Sequence, residues 1–187
     1  EKEEVGPWLQ ALLNVGKNQQ SIQEMNGRDS LLLFLFTGLR VEALLSVKLD
    51  QIDLNVGVIN APGKTDTNVP ITKQVRQIIT WRIRMLHLVA PESPWLFPSR
   101  NSDDHYKDPK KIRQQVNKKS GVHDLTTHDI RRTFKTVGAL VRVHPDILNL
   151  LTGHGVQGIN KHYVQVRVDD QRKQAQEIVD KIIEDAN

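Results

Sequence analysis

The chain has 187 residues, 38% of them hydrophobic and 26% charged, which fits one globular domain with a substantial core and argues against disorder. With no cysteine, disulfide scaffolds and thiolate metal sites are excluded, and a formal net charge of +4 permits a polyanionic partner without requiring one. The longest apolar run, residues 31–36, is far too short to cross a bilayer, and the charged opening Glu1-Lys2-Glu3-Glu4 lacks a signal-peptide pattern. The absence of an initiator methionine leads us to expect a single domain, 1–187, cut from a longer protein.

In chain order, apolar spacing predicts a helix over 8–15, with Pro7 at its start. A buried helix is predicted over 28–39, capped by Asp29 or Ser30 and interrupted at Thr37-Gly38, with a further helical stretch over 41–47. Residues 49–53, 56–60 and 68–72 have β-type composition and turn signals between them, and read as a small antiparallel sheet with Pro70 on an edge strand. Helical periodicity returns over 73–90. It is followed by a polar, exposed loop over 99–110 and by helices over 108–119, 127–141, 145–151 and 169–185. The fold class is therefore mainly α with a small antiparallel β-sheet.

Four segments carry candidate chemistry. Arg40 follows a very apolar helix in Thr37-Gly38-Leu39-Arg40, which suits a guanidinium held rigidly against an anion. His128 and Arg131 share a helical face, and Thr126 or Thr127 suits the N-cap of that helix. Gly153-His154-Gly155 marks a helix end with close backbone approach, and Tyr163 lies nine residues after His154. Taken singly, each has a simpler explanation: a surface cap, a chance HxxR, a capping histidine, a packing tyrosine.

Taken together they resemble the phage integrase, or tyrosine recombinase, family. Its signature is an Arg in a TGLR segment, then H-x-x-R, then GH, then a Tyr nine residues further on. Arg40, His128, Arg131, His154 and Tyr163 stand in that order and spacing, and Lys64 in Gly63-Lys64-Thr65 matches the family's β-turn lysine. The match covers roughly residues 8–165. One position departs: the family's acidic residue three places after the first Arg is Ala43 here, with Glu42 one place earlier.

The resemblance implies the DNA breaking-rejoining fold and a site-specific recombinase that cuts and rejoins DNA through a phosphotyrosyl bond. In that chemistry Tyr163 is the nucleophile, and Arg40 and Arg131 neutralise the nonbridging oxygens. His128 accepts the phenol's proton, Lys64 protonates the departing 5′-oxygen, and His154 binds the phosphate. No metal, nucleotide or other cofactor is expected. The expected partners are double-stranded DNA and further protomers, as a tetramer on synapsed DNA, with no membrane partner and a cytoplasmic setting in a bacterium or phage host. The family's N-terminal DNA-clamping domain is expected outside this chain, and residues 169–187 are expected to pack in cis or dock on a neighbouring protomer.

Other readings stay open at this point. A phosphate-binding loop ending at Gly63-Lys64-Thr65 has five residues between its glycines where four are needed, and Pro62 removes a donor. A catalytically inactive DNA-binding module of the same fold, or a type IB topoisomerase, shares the motif set. The basic run of Lys107, Lys110, Lys111, Arg113, Lys118 and Lys119 suits DNA phosphates or a solvated face equally. His87, His105, His123 and His144 are read as having no function.

Overall fold

The computed structural model describes residues 2–15, 21–63, 67–100, 103–153 and 168–187. Within them the chain is mainly helical with one small antiparallel sheet, as the sequence predicts. Its elements are α1 (Lys2–Leu13), α2 (Ile22–Thr37), α3 (Val41–Leu45), β1 (Ile52–Asp53), β2 (Val58–Ala61), β3 (Thr67–Pro70), α4 (Lys73–Val89), α5 (Lys110–Ser120), α6 (Thr127–Leu140), α7 (Pro145–Leu151) and α8 (Val168–Glu184).

The centre of the domain is α2, where every residue from Asp29 to Thr37 is buried. It begins at Ile22 and not at 28 because Ser21 and Glu24 close a capping box: each side chain accepts from the other's backbone N–H, at 3.2 Å both ways. Asp29 and Ser30 are therefore interior residues, not caps. The Asp29 carboxylate accepts from the fully buried Arg82 of α4 at 2.9 Å, and the Ser30 hydroxyl donates to the Gly27 carbonyl. Arg82 satisfies the rest of its fork on the carbonyls of Leu96 and Met25 and on the Asn26 amide oxygen. Around α2 are packed α1, α4, α5 and α6.

Pro7 lies inside α1, five residues from its start. The sheet has the order β1-β2-β3, with Ile59 opposite Val69, and β3 is an edge strand, as Pro70 requires. Residues 49–51 form a 3-10 turn and not a strand, because Gln51 bonds locally: its N–H donates to the Lys48 carbonyl and its side chain accepts from the Lys48 N–H. The described part of the 99–110 loop is not wholly exposed, since His105 and Pro109 are buried.

Helix α8 buries Ala175, Ile178, Val179 and Ile182 against α6, α7 and β3 of its own chain. Arg172 adds donors to the carbonyls of Val56 and Gly57, which ties α8 to the turn between β1 and β2.

Candidate active site

The site is built where α2 ends, α6 begins and α7 ends. The Thr37 hydroxyl donates to the Leu33 carbonyl at 2.6 Å and accepts from the Leu39 N–H, which closes the last turn of α2. Gly38 then adopts a left-handed conformation, φ 63°, with its N–H on the Phe34 carbonyl. A Cβ there would come within 2.5 Å of Phe134 of α6 and 3.0 Å of Thr152, so only glycine lets α6 and the end of α7 approach. Leu39 is buried, and the chain leaves the core at Arg40, the N-cap of α3.

Arg40 is exposed, and its Nη1 donates to the Gly153 carbonyl at 2.7 Å. Gly153 is itself left-handed, φ 66°, and packs against Thr67, whose Oγ1 would lie 2.8 Å from an added Cβ. The first arginine is thus braced from across the fold.

Arg131 lies on α6 and is buried, and its Nη1 donates to the Gly38 carbonyl. Burial, and then the neighbouring charge of Arg40, push its guanidinium down to about 10. Two cations that disfavour one another in a partly desolvated place form a ready receptor for an anion with two free oxygens. His128, exposed on the first turn of α6, stands three residues before Arg131 on that helix. Helix α6 starts there because Thr126 and Asp129 form a capping box: the Thr126 hydroxyl accepts from the Asp129 N–H at 3.2 Å, and the Asp129 carboxylate accepts from the Thr126 N–H at 3.0 Å. The Thr126 hydroxyl and backbone bonds hold the Asp129 carboxyl below its usual range.

Arg40, His128 and Arg131 are therefore carried by two adjoining segments, and Arg40 and Arg131 interact. Lys64, His154 and Tyr163 lie outside the described residues. Glu42 does not turn back to Arg40; its Oε1 lies 3.6 Å from Nε2 of His105. The bracing carbonyls of Gly38 and Gly153 were not anticipated from sequence. Only Gly38 and Gly153 themselves hint at them, since both adopt left-handed turns. Among the described residues no cluster of His, Asp and Glu has the geometry to hold a metal ion, and no helix is long and apolar enough to cross a membrane.

Comparison with known proteins extends this picture. The prophage integrase IntF of Escherichia coli K12 is 21% identical over 189 residues, covering 100% of this chain and 39% of the relative. The tyrosine recombinase XerA of Pyrococcus furiosus is 28% identical over 148 residues, 74% of this chain and 50% of the relative. The chain thus spans half or less of the length of these curated relatives. Among solved structures, the XerH site-specific recombinase bound to its difH substrate in a pre-cleavage complex superposes with a TM-score of 0.66 at 15% identity, over 96% of this chain and 50% of that one. The integrase of mycobacterium phage Brujita gives 0.65 at 18% identity, over 96% and 61%. These likenesses establish the fold. The sequence model of the phage integrase family matches residues 8–170, nearly the whole length, and the chain therefore belongs to the phage integrase family.

Proposed function

We propose that this chain is the catalytic domain of a site-specific DNA recombinase that cleaves and rejoins DNA through a 3′-phosphotyrosyl intermediate, without metal or nucleotide. The observation that carries the reading is the pairing of Arg40 and Arg131, two braced cations whose mutual repulsion a phosphodiester would relieve. A phenolate attacking an anionic phosphodiester builds charge in a five-coordinate transition state, and each arginine stabilises one nonbridging oxygen. Losing one such preorganised donor typically costs about 100- to 1000-fold in rate.

In the proposed sequence of steps, the Tyr163 phenol gives its proton to His128 as its oxygen bonds to phosphorus. The P–O5′ bond breaks, and the leaving 5′-oxygen takes a proton from Lys64. The phenol's ordinary pKa of about 10 makes an acceptor necessary at neutral pH. His154 hydrogen-bonds the phosphate. Attack of a 5′-hydroxyl on the phosphotyrosyl bond reverses these transfers, so joining needs no external energy source. The assignments of Lys64, His154 and Tyr163 rest on the sequence motifs. We further propose a cytoplasmic setting, a longer parent protein that supplies the DNA-clamping domain, and a tetramer on synapsed DNA.

The test is to incubate the full-length parent with a nicked duplex bearing its target site and look for a denaturant-resistant protein–DNA adduct. Wild type should form it and Tyr163→Phe should not. An adduct that survives in Tyr163→Phe moves the nucleophile elsewhere. Tight target binding with no adduct favours the inactive DNA-binding module.

A further inference from the structure

We propose that Asn117 is a positioning residue for His128, acting by fixing the point where α6 begins; this rests on the reading of His128 as the proton acceptor. Asn117 is 7% exposed on α5, and its side-chain amide bridges two other parts of the chain. The indole N–H of Trp8, itself 1% exposed on α1, donates to Oδ1 at 2.9 Å. Nδ2 donates to the carbonyl of Leu125 at 3.0 Å. An indole N–H only donates and a backbone carbonyl only accepts, so one orientation of the amide satisfies both. Neither aspartate nor leucine, of nearly the same shape, could make both bonds.

Leu125 directly precedes Thr126, the N-cap of α6, and His128 follows in the first turn. Two left-handed residues, Gly121 and Asp124, bend the chain between α5 and α6, at φ 74° and 60°. The chain is then tied down at the Leu125 carbonyl, which takes a second donor from α5, Nη1 of Arg113 at 2.5 Å. Arg113 thus turns inward from the basic run, while the lysines of that helix stay exposed.

Further along, α6 is held by other contacts: Arg131 donates to the Gly38 carbonyl, and Phe134 packs against Gly38. Thr126 and His128 are exposed and lie before those contacts. The capping box shapes the first turn from within, and the donors on Leu125 join it to α5. A proton acceptor must stand within hydrogen-bond reach of the group it serves, and a misplacement of about 1 Å can cost about 100-fold in rate. Asn117 therefore touches no reacting atom, yet it sets where the acceptor stands.

The test separates placement from stability in the full-length parent. Asn117→Leu removes both bonds and leaves the buried Trp8 N–H without an acceptor, so it should destabilise the fold. Adding Trp8→Phe removes that orphaned donor, and the double variant should regain most of the stability while still lacking the bond to Leu125. Its hydrogen–deuterium exchange should be about tenfold faster in residues 126–130 and unchanged in 137–143. Adduct formation on the nicked target duplex should slow about 10- to 100-fold per folded molecule, with target affinity unchanged. Trp8→Phe alone keeps the bond to Leu125 and should match wild type in both measurements. The proposal is overturned if regained stability also restores the adduct rate and the first-turn protection. Exchange that rises equally in both segments overturns it as well, and this ratio is readable at any stability. If wild type forms no adduct the recombinase reading falls, while the exchange ratio still decides whether Asn117 places the first turn.

Discussion

The guanidinium of Arg131 donates to the carbonyl oxygen of Gly38, so one buried cation is anchored on the residue that turns the chain toward the other, Arg40. Replacing Gly38 by alanine therefore strains two things at once, a left-handed backbone and a packed contact with Phe134. The expected loss of stability is about 2–5 kcal/mol, the sum of a left-handed penalty and overpacking. Urea unfolding measures it, and a midpoint equal to wild type would show that α6 can shift at no cost.

The arginine pair should bind a doubly charged anion in the absence of DNA. Sulfate at ten times its dissociation constant would stabilise the domain by about 1.4 kcal/mol, and Arg40→Gln should remove most of that gain. The sign of the pH dependence follows from Arg131. Its folded-state pKa is depressed to about 10, so the penalty on its charge is present below that pH and fades as the pH rises through it. The sulfate gain should hold from pH 6 to 9 and shrink above about 10, as read by thermal unfolding with and without sulfate.

Asp29→Ala would leave Arg82 fully buried without its carboxylate. Breaking a buried ion pair from one side costs about 3–5 kcal/mol. Asp29→Asn, which keeps an acceptor, should cost less. Because the pair lies on α2 and α4, away from Arg40, the folded fraction of either variant should bind sulfate as wild type does. A loss of binding at equal folded fraction would mean that the network also shapes the site.

Thr126→Ala removes one half of the α6 capping box and should cost about 1 kcal/mol. Asp129, held below its usual range by Thr126, contributes stability that is present at neutral pH and is lost as the pH falls through its folded-state value. The variant should therefore show a shallower loss of stability between pH 5 and pH 2. Urea titrations across that range would reveal parallel acid limbs if the capping box were irrelevant.

Much of this was legible in sequence because it is local. The Thr37-Gly38 interruption, the Thr126 cap, the edge position of Pro70 and the class of the fold all follow from neighbours in the chain. The errors were local signals read at the wrong place: Asp29 and Ser30 look like caps, yet the box is closed by Ser21, about two turns before Asp29, with Glu24. What stayed hidden depends on contacts between distant residues. Nothing near Asp29 announces Arg82, 53 positions away, and nothing near Glu42 announces His105. The residues that brace Arg40 and Arg131 do so through backbone carbonyls, which every amino acid carries, so no side-chain pattern could name them.

The bond from Arg40 to the Gly153 carbonyl has a thermodynamic consequence. Gly153 packs against Thr67 of β3, so anything that shifts that contact changes how firmly Arg40 is held. By reciprocity, whatever occupies Arg40 must change the stability of the Gly153–Thr67 contact by the same free energy. Anion binding at Arg40 and the seating of the end of α7 on β3 would then be two readings of one coupled equilibrium, each able to report on the other.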